Sequence, residues 1–183
     1  MFSESALAVG FQHSLFADSE IIIPPKPRFV AGFAFSADGG KVALVRKNRP
    51  RWQRGRLNAI GGSIEAGESE VQAMRREFRE ETGVDLPEEA WQPCVVLGND
   101  DFEVTFFRTF QADLGAVWTM TDEEILVVPS LPIDQDALPN LHWLLPMCLD
   151  DLDFPVRVPD RNRGSLLWPL LDALRQAPEG NKP

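Results

Sequence analysis

Apolar runs of strand length and apolar stripes of helical spacing divide this chain between them. Phe29 to Phe35 and Lys41 to Arg46 read as two strands, joined by a turn at residues 36–40 whose Asp38-Gly39-Gly40 is a hairpin signal. Leu57 to Ile60 reads as a short strand. Cys94 to Leu97 and Glu103 to Gln111 read as strands around the turn Gly98-Asn99-Asp100-Asp101, and Ile125 to Val128 as one more. Ile21-Ile22-Ile23 fits an edge strand stopped by Pro24-Pro25. Helical spacing places Val71, Met74 and Phe78 on one stripe. It recurs in Leu141, Leu144, Leu145, Cys148, Leu149 and Leu152, where Pro146 is expected to kink or delay the helix. Ser165 to Gln176 reads as a terminal amphipathic helix. This order predicts an α/β chain with a mixed β-sheet sandwiched between α-helices. One domain spans 29–152, with an N-terminal extension (1–28) and a C-terminal extension (153–183).

The helix in the middle of the chain has the sharpest boundaries. Ser69 followed by Gln72 fits a capping box, so the helix is expected to begin near Ser69. Gly83 stands where a left-handed stop is expected. The stripe of Val71, Met74 and Phe78 faces the core. Glu77, Glu80 and Glu81 fall on a second stripe, and Ala73 beneath it leaves room.

That second stripe conflicts with helix electrostatics. Glu77 and Glu81 are a like-charge i,i+4 pair and Glu77 and Glu80 an i,i+3 pair, each costing the helix about 0.2–0.5 kcal/mol. They lie in the last turns, where the helix dipole favours cations. A divalent cation removes the conflict. Mg²⁺ is the natural candidate, because it takes oxygen ligands and few carboxylates, leaving positions for water and substrate phosphates. The competing reading is a solvated, charged helix face.

The surrounding spacing favours the metal. From Gly62 the chain runs five residues to Glu68, seven more to Arg76-Glu77, then Phe78, Arg79, Glu80-Glu81, Thr82, Gly83 and Val84. This segment, 62–84, resembles the signature box of the Nudix hydrolases (MutT-like), with every fixed position filled. Looser similarity in strands and turns extends from Phe29 to Asp151. The resemblance implies the Nudix fold and a loop–helix–loop that holds Mg²⁺, or Mn²⁺ in its place, against a diphosphate. By position, Glu80 and Glu81 match the family's principal metal ligands. Glu77 matches a residue that binds metal or helps deprotonate the attacking water. Arg76 matches the arginine that orients the cluster, and Glu68 a glutamate that braces loop to helix. Gly61 matches the residue whose backbone carbonyl completes the metal shell. Close approach of backbone to ion is what glycine permits.

The chemistry implied is metal-dependent hydrolysis of a diphosphate linkage, by in-line attack of an activated water whose proton passes to a carboxylate. In this family the base sometimes lies on a later loop, which makes Asp122, Glu123 and Glu124 candidates for that role or for an extra ligand. A capped helix start or solvated turn is the alternative for them. Upstream, Arg46 to Arg56 (RKNRPRWQRGR) carries six Arg or Lys residues in eleven. Arg49, Arg51, Arg54 or Arg56 could meet substrate phosphates, with Trp52 lining the site. The alternative is a soluble loop with its tryptophan on the sheet edge. Phe102, Phe106 and Phe107 could stack on a base, but aromatics in strands are more often core.

Composition narrows the setting. The chain has 183 residues, 44% hydrophobic and 25% charged, ordinary for a soluble domain with a proper core. A net charge of −10 argues against a general nucleic-acid binder, though not against nucleotides, since bound cations invert the local field. The two cysteines, Cys94 and Cys148, are expected to be buried reduced thiols and not a zinc site or disulfide framework. The two histidines, His13 and His142, are far apart and give a Ser–His–Asp mechanism little support. The N-terminus is a poor signal peptide and no apolar stretch spans a membrane, so a cytoplasmic protein is expected. Its expected partner is a small nucleotide; a homodimer stays open.

Features that mark some Nudix subgroups are missing: zinc-binding cysteines, the tyrosine of dinucleoside-polyphosphate hydrolases (the chain has no Tyr), the coenzyme A motif and the downstream proline of ADP-ribose enzymes. Exclusion leaves a housecleaning nucleoside triphosphate hydrolase, releasing nucleoside monophosphate and pyrophosphate, as the leading expectation. A hydrolase of ADP-ribose or a nucleotide sugar is the alternative. A non-catalytic nucleotide-binding regulator is a third reading, weakened because all the box carboxylates are present.

Overall fold

A computed structural model describes residues 26–152 and 154–159. The expected strand at 21–23 and helix at 165–176 lie outside these residues. The strands are β1 (Arg28–Phe35), β2 (Lys41–Arg46), β3 (Leu57–Asn58), β4 (Gln92–Gly98), β5 (Glu103–Thr109), β6 (Glu124–Pro129) and β7 (Val156–Pro159). The helices are α1 (Glu70–Thr82) and α2 (Leu141–Leu149).

One mixed sheet of seven strands runs β3-β2-β1-β5-β4-β7, with β6 paired to β2. β1 and β5 pair in parallel over seven registers, from Arg28 with Glu103 to Ala34 with Thr109. β6 runs antiparallel along the whole of β2. The opposite edge of β2 is shared: β1 takes residues 42–43 and β3 takes 45–46. The gap this opens beside β1 is filled by the segment leading to α1. Gly32 N–H donates to Ile60 O (2.7 Å) and Val30 N–H to Gly62 O (2.9 Å).

Alternation along the strands splits the core in two. Phe33, Phe35, Val42, Leu44, Val104 and Phe106 point to one face, where α2 covers them with Leu141, Leu144, Leu145 and Cys148. Ala34, Ala43, Val45 and Phe107 point to the other, under Met74 and Phe78 of α1. The sheet therefore lies between helices, as expected. Phe102, Phe106 and Phe107 are all buried, and Phe106 stacks on Phe33; these aromatics are core.

Three details differ from the sequence reading. α2 starts on time at Leu141 and contains Pro146, then stops at Leu149, leaving Leu152 outside it. Pro146 lacks the N–H that would bond back to His142 O, and the helix ends three residues after it. β7 was not anticipated: it pairs in parallel with β4, so the sheet continues beyond residue 152. Cys94 and Cys148 are free and buried as expected, but they face one another, sulfur to sulfur at 2.6 Å, across β4 and α2. The hydrogen bond with Cys94, and then burial, push the Cys148 thiol far up, keeping it protonated.

Candidate active site

α1 carries the site, and its ends are fixed locally. Ser69 Oγ accepts from Gln72 N–H (3.2 Å) while Gln72 Oε1 accepts from Ser69 N–H (3.0 Å). At the far end Gly83 adopts φ 74° and donates to Arg79 O (2.9 Å). Met74 and Phe78 anchor the buried face, with Phe78 edge-on to Trp91 at 5.0 Å between centroids. This locks the helix rotation and presents Glu77, Glu80 and Glu81 beside the preceding loop.

Arg76 is the hub of that presentation. Its Nε and one Nη donate to the two oxygens of Glu68 at 2.7 and 2.9 Å. The same Nη also donates to Ser63 O at 2.9 Å. The other Nη reaches Glu77 Oε1 at 2.7 Å and Glu80 Oε2 at 3.4 Å. A bidentate pair of this kind fixes geometry as well as charge, so Glu68 ties the loop to the helix. Its carboxyl is held below the usual range, first by Arg76 and then by the Glu65 N–H. The Arg76 pKa is raised in return, chiefly by Glu68.

The glycines explain how close the carboxylates come to the backbone. A Cβ at Gly62 would lie 2.4 Å from Glu77 Oε1, so only glycine leaves room for that carboxylate. Gly61 has φ 153°, and a Cβ there would lie 2.2 Å from Val30 O. β1 and the box loop touch too closely for any side chain.

Burial sets the three glutamates apart. Glu80 is half exposed. Glu77 is largely buried, and desolvation raises its pKa against the opposing pull of Arg76. Glu81 is pushed up to about 7, first by burial, then by Glu77, Glu123 and Glu80, while Lys47 pulls the other way. Its Oε2 is buried with no hydrogen-bond partner. A buried, unpaired carboxylate oxygen is costly, and a cation is the partner that such an atom lacks. The donor chemistry fits a hard divalent ion. Among the described residues no three acidic, histidine or cysteine side chains converge on one point; Arg76 holds one oxygen of Glu77.

The basic loop meets the later acidic segment. Glu123 is buried and fully engaged: it pairs with Lys47 and accepts from the backbone N–H groups of Asn48 (2.8 Å) and Arg49 (3.4 Å). Asp122 pairs with Arg49 at 3.2 Å, and its carbonyl accepts from the Asn48 side chain. Glu124 is exposed and faces Arg46 at 3.4 Å. Arg51, Arg54 and Arg56 are exposed. Trp52 is half-buried and packs with the core on the α2 side of the sheet. Lys47 and Glu123 thus stand in the field of Glu81. Lys47 went unnoticed in the sequence because its partner is 76 residues away, although its place at the head of the basic run was a signal. The Ser63 carbonyl on Arg76 left no signal in the sequence.

Comparison with known proteins agrees with this geometry. The NUDIX domain model matches residues 26–146, about two thirds of the chain. Solved structures share the fold. One comes from a study of MutT of the fish pathogen Aliivibrio salmonicida and of Vibrio cholerae. It shows 24% identity and TM-score 0.57, covering 68% of this chain and 98% of that one. The mutator MutT protein of Bacillus halodurans shows 18% identity and TM-score 0.56, covering 73% and 88%. A NUDIX hydrolase of Nitrosomonas europaea shows 16% identity and TM-score 0.56, covering 75% and 78%. No curated protein matches the chain. The chain belongs to the NUDIX family. It is a pyrophosphohydrolase of that family, whose members act on nucleoside diphosphate derivatives and generally use divalent metal ions. Among the described residues no helix is long and apolar enough to cross a membrane.

Proposed function

We propose that this chain hydrolyses a nucleoside triphosphate to the nucleoside monophosphate and pyrophosphate, with Mg²⁺ or, in its place, Mn²⁺. The observation that supports this most is the buried, unpartnered Oε2 of Glu81 beside the Arg76-ordered carboxylates. Glu80 and Glu81 would hold the ion, with Glu77 and the Gly61 carbonyl beside them. A bound divalent ion supplies charge neutralisation on phosphate oxygens and a lower pKa for a bound water. The attacking water loses its proton to Glu77 or to a carboxylate of the 122–124 segment. Of that segment, Glu123 is the most engaged, by Lys47 and two backbone N–H groups. The new bond joins water oxygen to phosphorus, the bridging P–O bond breaks, and the leaving group takes the electron pair: pyrophosphate for attack at the α-phosphorus, the nucleoside monophosphate for attack at the β-phosphorus. Glu68 braces Arg76 and takes no part in the step. Arg49, Arg51, Arg54 and Arg56 would meet the phosphates from the basic loop. We place the protein in the cytoplasm, acting without a stable nucleic-acid partner.

The test is a panel of nucleoside triphosphates, ADP-ribose and nucleotide sugars, turned over with Mg²⁺ in ¹⁸O-labelled water. The expected products are monophosphate and pyrophosphate, and the label reports which phosphorus is attacked. Preferential turnover of ADP-ribose or a nucleotide sugar would move the substrate assignment. No turnover of any diphosphate with metal bound would falsify the catalytic reading.

A further inference from the structure

The segment after β5 lays two large apolar side chains open at the C-terminal end of α1, the helix that carries the carboxylate cluster. Trp118 is 70% and Met120 61% exposed, the two most open large hydrophobic residues among those described. They are not on a free loop. Trp118 N–H donates to Thr82 O (3.0 Å) and Met120 N–H to Glu81 O (3.1 Å), so the segment is bonded across the last carbonyls of α1. Thr119 Oγ1 accepts from Ile125 N–H (2.9 Å), which fastens the segment to β6 as well. Val117 packs into the α1-side core. Met120 lies over Gly83, its Sδ 3.4 Å from where a Cβ would stand.

The backbone is thus pinned while the side chains are not covered. Open tryptophan in water leaves unused an apolar surface of the kind that dominates binding energetics. Position narrows the occupant. The anchor of this segment is the carbonyl of Glu81, whose own carboxylate belongs to the proposed site. A nucleotide held there by its phosphates carries its base one sugar away. The base is flat and uncharged, so the surrounding acidic groups do not repel it as they would an anion.

We propose that Trp118, backed by Met120, is the platform on which the base of the nucleotide substrate stacks. This rests on the reading of the chain as a nucleotide pyrophosphohydrolase. Stacking on an aromatic face tolerates every base, so the platform contributes affinity for nucleosides as a class. A substrate that lacks a base forfeits this contribution.

The test compares wild type, Trp118→Ala and Trp118→Phe with nucleoside triphosphates, and follows fluorescence with nucleoside monophosphate and with ribose 5-phosphate. Expected are a KM about tenfold higher in Trp118→Ala, the size of one stack, a smaller change in kcat, and recovery in Trp118→Phe. Also expected is quenching of wild-type fluorescence by the monophosphate but not by ribose 5-phosphate, lost in Trp118→Phe. Hydrolysis of nucleotides with the same KM in wild type and Trp118→Ala overturns the platform and leaves the catalytic reading standing. If no diphosphate is hydrolysed, the catalytic reading fails separately. The base-dependent quench then decides the platform: its presence in wild type and loss in Trp118→Phe supports it, and its absence overturns it.

Discussion

Arg76 and Arg108 are both drawn out of solvent, one on each side of the sheet, and they gather different company. Arg76 is surrounded by charge: Glu68, Glu77 and Glu80, with one carbonyl, that of Ser63. Among the described residues Arg108 meets only neutral groups. It donates to Gln92 Oε1 (3.0 Å), Cys148 O (2.8 Å) and Asp150 O (2.7 Å), and its guanidinium lies over the rings of Phe154 and Phe110 at 4.4 and 5.5 Å. There it satisfies the carbonyls at the end of α2, where a cation is favoured. The partners of Arg108 are uncharged groups of the fold. Those of Arg76 can exchange one cation for another, so they can serve a metal. Two arginines, one buried and one half-buried, therefore separate holding the fold from arranging the chemistry.

The largest test of that contrast removes a carboxylate. Glu81→Gln is expected to lower kcat about 10²–10³-fold, the scale of losing an electrostatic group at a reacting centre, with circular dichroism unchanged. Retained turnover would dissolve the distinction. Next comes Arg76→Ala, expected to weaken metal affinity or activity about 10–100-fold, as for other residues that orient ligands. Metal titration of activity reads it. Arg108→Ala reverses the pattern. It leaves carbonyls and Gln92 unpaired and is expected to cost about 2–4 kcal/mol in urea unfolding, with kcat/KM of the folded protein preserved.

Acidity gives a subtler test. The folded-state pKa of Glu81 lies near 7, above the ordinary glutamate value of 4.5. The folded chain therefore binds this proton more tightly than the unfolded one. Without metal, stability is expected to fall as pH rises from about 4.5 through about 7. Metal binding, which needs the carboxylate, is expected to tighten over the same rise, and isothermal titration at several pH values checks it. The smallest effect is on the rim. Arg49 and Asp122 form an exposed pair, so Arg49→Ala is expected to change stability by under about 1 kcal/mol in the same unfolding assay.

Much of α1 could be read in advance, because its signals are local. Ser69 and Gln72 are three residues apart, Gly83 follows the last turn directly, and the acidic stripe conflicts visibly with the helix dipole. The hairpin of β1 and β2 was legible for the same reason. What escaped depends on distant partners. Arg108 acquires its role only when α2 arrives beneath β5, 40 residues on. The clasp of Lys47 on Glu123 spans two segments with no sequence relation. β7 is four residues long, too short for its pattern to stand out, and its place is set by the edge of β4. Burial of Glu81 likewise follows from packing and not from its neighbours in the chain.

The parallel pairing of β1 with β5 has a consequence for how the site comes into being. β1 begins at Arg28 and its partner ends at Thr109, and the whole of α1 lies in the stretch between. The glycine loop rests on β1, so the carboxylate nest needs a strand that is itself held in place from far along the chain. Pairings of such long sequence separation form slowly, and parallel strands need a crossover to meet at all. During synthesis the helix can coil as soon as it emerges, but the nest around it closes only after β5 has been made. A chain cut before that strand would carry every residue of the signature and no centre for them to form.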